Sequence, residues 1–582
     1  MHYKRLLISL SFIIFHLSSC LAQQLTITVD SAGMLAKQLT DSIRITISEL
    51  KVCGTLNGND LKVLQSMAVR QKSKKPTDVP LTELDLSETE IVETKGFFRN
   101  LANQLPTALF ANSKTLETVI LPAGLEAISK SCFSGCVNLK DIVIPERVTL
   151  IDDYAFNGCK SITSVTLPEV LDKIENHAFD GCASLTEIEI PESVSLIDSY
   201  AFARCINLEK ITIDCLIDRI PSSTFIGCER LGRIDLPSTV NHIGSEAFKG
   251  CRSMTTVTFP ESLKSIDNSA FEDCSSLESV RINSIDRINN KAFRGCSMLV
   301  NATLSGVNRM GDNVFENCSN LKSVIIEGLP TTLGENTFAE CVSLTSIRLP
   351  SGIKTMGSRA FFGCKMLPEI EIPSALTLIG DHAFENCASL KRITIPSLVK
   401  KIGNDAFVGC MSLDSVTISG FIEKIEDDVF RYCHSLRHID LPVSVKSIGD
   451  NAFEQCSLLE QIALPISLNS IGDNAFEKCV SLVSIVVPPA CNTIGSSSFR
   501  DCSRITRLEL PAGLKKIGGN AFSRCSSLRE VVCSSHKPSN ITNSTFKNVP
   551  LNACKLIVPK GAKNAYKANK TWSKFLLIVE QY

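Results

Sequence analysis

The sequence predicts an α/β-type repeat solenoid, built mostly of short parallel strands and irregular turns and capped at both ends. Three observations predict this fold: Phe recurs about every 23 residues, Cys recurs three residues after it, and an L-x-x-I-x-I pattern follows in each period. A chain of 582 residues would otherwise suggest several globular domains. Self-similarity at a fixed period of about 20 to 50 residues indicates stacked repeats instead.

The Phe column sets the repeat length. It runs from Phe110 to Phe271 in steps of 23, takes two steps of 22 to Phe315, and continues to Phe522 and finally Phe546. Twenty of the 28 Phe belong to this column. Because a single repeat buries little apolar surface alone, we expect the stack to supply the core.

The L-x-x-I-x-I pattern predicts one short strand per repeat. In a clear instance, Leu185, Ile188 and Ile190 alternate with polar residues and Pro191 follows. Such alternation is typical of a strand with one buried face, and Pro ends it because Pro cannot donate a ladder hydrogen bond. At this period the pattern is the signature of a leucine-rich repeat. We trace 21 strand rows, from residues 81–86 to residues 553–558.

The two shortened repeats are predicted to lose their residue in a turn. The deletions fall after the strand, between Asn283 and Ile288 and between Ser305 and Met310. Turns tolerate changes of length better than strands do.

We expect four regions along the chain: a signal peptide at 1–22, an N-terminal cap at 23–80, a leucine-rich-repeat solenoid at 81–532 and a C-terminal cap at 533–582. The N-terminal cap contains two amphipathic segments, around residues 34–50 and 60–70. Caps are needed because a bare end exposes core and unpaired strand edges. In the C-terminal cap the single Trp, Trp572, is predicted to plug the last coil, and a surface-binding role is the alternative.

The first residues resemble a secretory signal. Lys4 and Arg5 precede an apolar run at 6–17, too short for a membrane anchor. Two cleavages fit: a lipobox ending at Cys20, which would then be lipidated, or ordinary cleavage before Gln23. We therefore expect an exported protein, at the cell surface or outer membrane or secreted, with membrane attachment only through a lipid on Cys20.

The cysteines are predicted to fill the core. Eighteen of the 25 Cys form the column from Cys136 to Cys525. Stacked side chains point the same way, which would strain a disulfide between them, whereas Cys fills a small apolar slot well. A few disulfides are the alternative. Only Cys215, in a turn column that we expect to be exposed, is predicted to be a reactive thiol.

The sequence does not suggest an enzyme. Nucleophile-elbow, zinc-protease and phosphate-loop motifs are absent, and we expect neither a cofactor nor a metal. His177, His242 and His382 fall in variable turn columns, where solvated side chains are expected. Lys plus Arg number 60 and Asp plus Glu 61, which does not favour a nucleic-acid partner.

The outward strand positions are the candidate ligand-binding face. They carry both charge signs and almost no aromatic residues, so the face is either a protein-docking surface or merely a solvated one. The candidate residues are Glu187, Glu189, Lys210, Arg233, Asp235, Arg281, Arg348, Glu369, Glu371, Arg392, His438 and Asp440.

The repeat A-F-x-x-C-x-x-L-x-x-I-x-I-P, found from Phe110 to Cys525, resembles the BspA-like family of leucine-rich-repeat proteins. The resemblance extends to V-D-S-A-G-M-L near the start, L-K-V-C-G-T-L-N-G-N-D-L, and the A-Y…W…F…I-V-E ending. It implies a bacterial surface protein that acts as an adhesin for extracellular-matrix proteins such as fibronectin and fibrinogen, or for other bacteria. The family provides no binding residues to transfer to this chain.

Two other functions remain open at this stage. One is a glycan-binding accessory protein, which the scarcity of outward aromatic residues disfavours. The other is an envelope scaffold without a host ligand. The protein-binding adhesin is the leading hypothesis because it combines the fold with export.

Overall fold

The structure is a computed structural model that describes residues 24–69, 79–94 and 100–581. The predicted signal peptide and Cys20 lie outside the described residues. The chain forms two compact units, which meet in sequence at Val170 and Leu171. Each unit consists of stacked coils of a parallel β-solenoid with little helix, as the sequence predicts.

Unit 1, up to residue 170, combines three helices with seven strands. Five of the strands form one parallel sheet in the order β1-β2-β3-β4-β6, and β5 pairs with β7 in parallel. The strands before residue 81 thus pair in the same sheet as the first repeat strand. The elements are β1 (Gln24–Val29), α1 (Leu35–Gln38), α2 (Asp41–Arg44), β2 (Glu49–Leu56), α3 (Gly58–Ala68), β3 (Glu83–Ile91), β4 (Thr118–Ile120), β5 (Ala127–Ile128), β6 (Asp141–Val143) and β7 (Leu150–Ile151).

Helix α3 begins with a capping box. The Asn57 side chain accepts a hydrogen bond from the backbone N–H of Asn59 at 2.9 Å, and the Asp60 carboxylate accepts one from that of Asn57 at 3.0 Å. The same carboxylate accepts from the N–H of Gly33 and of Leu35, so it also joins the start of α1 to α3. These bonds satisfy N–H groups that a helix start leaves without partners.

Unit 2, from Leu171 onward, repeats two kinds of strand. The strands of unit 2 are β8 (Lys173–Ile174), β9 (Glu187–Ile190), β10 (Leu196–Ile197), β11 (Lys210–Ile213), β12 (Arg219–Ile220), β13 (Arg233–Asp235), β14 (His242–Ile243), β15 (Thr256–Thr258), β16 (Ser265–Ile266), β17 (Ser279–Ile282), β18 (Arg287–Ile288), β19 (Asn301–Val307), β20 (Arg309–Met310), β21 (Ser323–Gly328), β22 (Thr332–Leu333), β23 (Ser346–Arg348), β24 (Thr355–Met356), β25 (Leu378–Ile379), β26 (Arg392–Ile395), β27 (Lys401–Ile402), β28 (Ser415–Ile418), β29 (Lys424–Ile425), β30 (His438–Asp440), β31 (Ser447–Ile448), β32 (Ser470–Ile471), β33 (Ser484–Val486), β34 (Thr493–Ile494), β35 (Arg507–Leu510), β36 (Lys516–Ile517), β37 (Glu530–Cys533), β38 (Lys555–Val558) and β39 (Leu577–Glu580). Helix α4 (Lys563–Ala568) and a 3₁₀ turn (Trp572–Lys574) lie between β38 and β39.

The longer strands of unit 2 form the predicted parallel ladder, which we call the first sheet. For example, β9 and β11 pair in register over four residues, with Lys210 beside Glu187. The two-residue strands form a second parallel ladder, the second sheet, in which β12, β14, β16, β18 and β20 follow one another. The second sheet is not predicted by the repeat pattern.

The Phe and Cys columns form the core, as predicted. Neighbouring column rings of unit 2 stack at centroid distances from 5.1 Å for Phe453–Phe476 to 5.7 Å for Phe202–Phe225. Backbone hydrogen bonds join the coils at the same place: the N–H of Phe361 donates to the carbonyl of Ala383 at 2.8 Å. The buried backbone N–H and carbonyl groups of each coil are therefore satisfied by hydrogen bonds to the neighbouring coils.

Two predicted strand rows are not strands, and a third is reduced to a single bridge residue. The backbone at residues 369–371 and 461–464 belongs to no strand of the described chain, and in the row around residue 164 only Ser164 forms a bridge. Another prediction, that the second deletion falls in a turn, is also wrong. Ser305 lies inside β19, which continues through Gly306 to Val307 by a register shift against β21. No Pro follows Leu304, so the strand keeps its N–H groups and continues.

The predicted plug at the end of unit 2 is confirmed. Trp572 is fully buried, its ring meets that of Phe546 edge-on at 5.7 Å, and its indole N–H donates to the carbonyl of Ser539 at 2.9 Å. The buried ring of Tyr566 packs edge-on against Trp572. The aromatic side chains thus continue the Phe column and cover its last ring.

Candidate functional site

The outward side chains of the first sheet in unit 2 form a surface that we call the strand face. Alternation along each strand places them there: in β9, Ile188 and Ile190 are buried while the residues between them face solvent. All twelve predicted ligand-binding residues are exposed. They are Glu187, Glu189, Lys210, Arg233, Asp235, Arg281, Arg348, Glu369, Glu371, Arg392, His438 and Asp440.

The prediction that all twelve lie on strands is wrong for two of them. Glu369 and Glu371 sit on the unpaired segment between β24 and β25. The side chain of Ile370 between them is only half-buried, whereas the equivalent Ile188 of β9 is buried. Because this segment does not pair, its carboxylates are held less firmly than those of β9.

Some charged side chains of the strand face already have a partner on the same strand. Arg233 lies 3.0 Å from Asp235 on the same strand, and His438 lies 3.2 Å from Asp440. Hydrogen bonds from Thr258 and Arg233 hold the pKa of Asp235 below its usual value. These pairs are more than half exposed, so each contributes little to stability.

The other charged positions have no such partner. Within the described part of the chain, no ion pair reaches the charged ends of Glu187, Glu189, Lys210, Arg281 or Arg348. Arg392 reaches Asp414 only at 3.9 Å. The strand face therefore offers charges of both signs that are not already paired.

Two further parts of the strand face were not among the predicted residues. Arg507 forms an ion pair with Glu509 on its own strand at 2.9 Å and another with Glu530 on the next strand. Beside the unpaired segment 461–464, an uncharged groove of about 440 Å³ is lined by Ile466 and Val486, among others. Val486, Arg507 and Glu509 occupy the same outward columns, so extending the column count to the last repeats would have found them, whereas Ile466 lies after its strand row.

The cysteine column is buried, as predicted. Burial raises the pKa of the column thiols from Cys205 to Cys525, for example that of Cys228 to about 12. Cys132, Cys491 and Cys533 are also buried core residues. All cysteines of the described residues are free thiols.

The expectation that Cys215 is an exposed, reactive thiol is wrong. Its residue exposure is 0% and burial raises its pKa to about 11. Leu216, the next residue, takes the solvent-facing position instead, with 76% exposure. Successive residues of a turn can therefore alternate between core and solvent, just as they do in a strand.

The histidines of the turn columns are not simply solvated. His177 lies 2.7 Å from Asp180 and stacks on Tyr200 at 4.5 Å. His242 lies 2.6 Å from Ser265, and His382 lies 2.7 Å from Glu385. The His177–Tyr200 and His242–Ser265 contacts join neighbouring coils. The His177–Asp180 and His382–Glu385 contacts lie within a single coil.

No metal site or membrane span emerges within the described ranges. No group of three or more His, Cys, Asp and Glu there could hold a metal ion. Among the described helices, none is long and apolar enough to cross a membrane.

Comparison with solved structures identifies leucine-rich-repeat proteins of bacteria. A leucine-rich repeat protein from Bacteroides ovatus ATCC 8483 is 29% identical, with 64% of this chain and 92% of that chain covered and a TM-score of 0.50. A leucine rich cell surface protein from Faecalibacterium prausnitzii A2-165 is 24% identical over 60% of this chain and 87% of that chain, with a TM-score of 0.32. No curated protein sequence matches this chain.

The family model "BspA type Leucine rich repeat region (6 copies)" matches four overlapping stretches, at residues 103–232, 218–341, 331–460 and 446–567. These stretches contain the Phe and Cys columns and the strands of the first sheet. The match therefore rests on the same repeat that builds the core. The chain belongs to the BspA-type leucine-rich repeat family.

Proposed function

We propose that the chain is an exported surface protein that binds another macromolecule, in the first place a protein, through the strand face of unit 2. The observation that carries the proposal is the set of exposed charges that have no ion-pair partner. A charged side chain exposed on a rigid sheet is available to a partner of opposite charge without first breaking an internal pair.

The ladder gives these charges fixed positions. Lys210 lies in register beside Glu187, and Arg392 lies in register beside Ser415, because the strands that carry them are hydrogen-bonded in parallel. A pattern of charges held by backbone pairing favours binding a structured partner over binding any polyanion or polycation. Leucine-rich-repeat proteins generally mediate protein interactions, which agrees with this use of the face.

The finer role that we propose is that of an adhesin, without catalytic activity. Its support is the BspA-type family together with the signal-like start of the sequence. The partner would be an extracellular-matrix protein or a protein on another bacterial surface.

The experiment is binding of purified residues 23–582 to immobilised fibronectin, immobilised fibrinogen and a mucin glycan panel, across a salt series. We expect saturable binding to a protein that weakens as salt rises, because salt screens exposed charges. Binding that does not change between low and high salt would contradict a role for the strand-face charges. Binding to glycans alone would contradict the protein-binding proposal itself.

A further inference from the structure

The second sheet of unit 2 is interrupted between β10 and β12, as it also is between β20 and β22 and between β27 and β29. On either side of the β10/β12 interruption the residue after the short strand donates its N–H to the preceding coil: Asp198 donates to the carbonyl of Ile174 at 2.9 Å, and Gly244 to that of Ile220 at 2.8 Å. Pro221 occupies this column between them and has no N–H to donate. Strand β10 pairs with β8, and β12 with β14, but β10 and β12 do not pair.

The interruption leaves backbone groups without partners. Among the described residues, none donates to the carbonyl oxygens of Ser195 and Ile197, and none accepts from the N–H groups of Asp218 and Arg219. In the next coil the corresponding N–H of Asn241 donates to the carbonyl of Asp218 at 2.8 Å. Two donors and two acceptors thus face the same gap.

The gap is local and lies in a rigid frame. On the other side of the same coils, β9 and β11 pair over four residues. The rings of Phe179, Phe202 and Phe225 stay stacked at 5.5 and 5.7 Å. The coils therefore cannot separate further, and the missing bonds open a cleft rather than a break in the stack.

The cleft has the size and lining of a small-molecule site. Its volume is about 420 Å³, within the range of about 300–1,000 Å³ typical of such sites. Leu196 and Pro221 supply apolar surface, while Asp198, Ser199 and Ser222 supply polar groups. One carboxylate oxygen of Asp198 already accepts from the N–H of Ser199, which fixes its position.

The charges in the cleft favour a neutral ligand. Arg219 contacts Asp218 through two nitrogens, at 3.1 and 3.4 Å, and this hydrogen bonding holds the pKa of Asp218 below its usual value. The two carboxylates of Asp198 and Asp218 disfavour an anion, and Arg219 disfavours a cation. Alternating donors and acceptors beside an apolar patch match a ring that carries hydroxyl groups on its rim and C–H groups on its face.

We propose that this cleft, on the second sheet between β10 and β12, binds a single pyranose unit, either free or at the end of a glycan. The site is separate from the strand face, and the proposal does not rest on the protein-binding function. Hydroxyl groups of the sugar would donate to the carbonyls of Ser195 and Ile197 and accept from the N–H groups of Asp218 and Arg219 and from the Arg219 guanidinium, which lines the cleft. Binding satisfies the groups that the missing ladder bonds leave to water.

The test is saturation-transfer NMR on residues 23–582 with the methyl glycosides of glucose, galactose, mannose, N-acetylglucosamine and fucose. We expect at least one glycoside to bind saturably in the millimolar range, as suits a ligand of this size. Disaccharides that carry the same unit at the non-reducing end distinguish the sources: retained binding indicates a glycan end, and lost binding a free sugar.

Two variants remove the site in different ways. Arg219→Ala removes the guanidinium, and Pro221→Gly restores an N–H that can pair with the carbonyl of Ile197, as Gly244 does one coil later. Each should weaken binding at least about tenfold, with thermal melting to show that the variant is folded. Lys516→Ala is the matched control, because Lys516 is exposed in the same column and is paired on both sides, with Thr493 of β34 and with Asn540.

Either of two results would overturn the proposal. If no glycoside of the panel binds the unmodified chain, the cleft is not a pyranose site. The same conclusion follows if a glycoside binds but its affinity is unchanged in both Arg219→Ala and Pro221→Gly. Neither result bears on protein binding by the strand face, which is measured with protein ligands.

Discussion

The buried thiol of Cys387 donates a hydrogen bond to the backbone carbonyl oxygen of Phe361, one coil earlier in the sequence, at 3.2 Å. The same relationship joins Cys410 to Phe384 and Cys433 to Phe407, so it recurs along the column. The Phe residue supplies the apolar ring, and its carbonyl, which already accepts from the N–H of Cys364 at 3.1 Å, accepts a second hydrogen bond from the Cys thiol of the next coil. This pairing explains why the two columns keep a fixed spacing.

The first prediction concerns thiol reactivity. The column thiols are buried, and burial raises the pKa of those from Cys205 to Cys525, so the column should remain unreactive in the folded chain. We expect at most one rapidly reacting thiol when residues 23–582 meet dithiobis(nitrobenzoate) at pH 8.5, and the fast phase should disappear in Cys53→Ser, since Cys53 is the one described cysteine that is not buried. All thiols should react in guanidinium. Several fast thiols in the folded state would contradict the buried column.

The second prediction concerns the Phe column. Phe361→Ala leaves a cavity between two stacked rings and should lower the free energy of unfolding by about 3–5 kcal/mol. Phe421→Ala is the matched control, because Phe421 is 66% exposed and outside the column; it should change the value by less than about 0.5 kcal/mol. Urea unfolding followed by circular dichroism measures both. Equal effects of the two substitutions would be inconsistent with a packed Phe column.

The third prediction concerns close contact between coils. A Cβ on Gly472 would lie 2.5 Å from the backbone carbon of Gly449 in the preceding coil, and backbone atoms cannot move aside easily. Gly472→Ala should therefore lower the free energy of unfolding by about 1–3 kcal/mol. The same substitution at Gly232, where a Cβ meets nothing within 4 Å, should be neutral or slightly stabilising. A stable Gly472→Ala chain would show that the coils can separate there.

The fourth prediction concerns the buried carboxylate of Glu272. Burial alone would raise its pKa, but hydrogen bonds from Lys249 and Arg294, at 2.9 and 2.8 Å, outweigh burial and hold the pKa below the ordinary 4.5. A lowered folded-state pKa adds stability above the unfolded-state pKa, and that stability is lost as the pH falls through the folded-state value. Glu272→Gln should cost about 1–3 kcal/mol at pH 7.

The difference between the unmodified chain and Glu272→Gln should shrink below pH 4.5, because protonated Glu resembles Gln. Urea unfolding at several pH values from 3 to 7 measures this difference. Glu192→Gln, at an exposed position, is the control and should show no such trend. A difference that stays constant across this range would mean that the ionised form of Glu272 is not the stabilising one.

The repeat architecture could be predicted because it depends on spacing alone. Residues 23 apart stack in register, so the burial of Phe361 and Cys387 follows from their columns without knowledge of the coordinates. The outward positions of β9 follow from alternation in the same way. These predictions needed no information about how two coils meet.

The parts that were missed depend on contacts between coils. The second sheet consists of two-residue strands, too short for any alternation to show in the sequence. Pro221 is visible in the sequence, but its effect appears only once its column is known to donate to the preceding coil. Cys215 was placed in an exposed turn column because the sequence did not show that Leu216, and not Cys215, turns outward.

The central claim is that unpaired charges on the strand face bind a protein partner. The most direct measurement is the affinity of the double variant Arg348→Ala and Arg392→Ala for the partner found in the binding screen, by biolayer interferometry from low to high salt. The control is Arg309→Ala with Lys401→Ala, which removes the same charge from the second sheet. We predict at least about a tenfold loss of affinity and a shallower salt dependence for the first variant, and less than about a twofold change for the control. Unchanged affinity and salt dependence in the first variant would contradict the account.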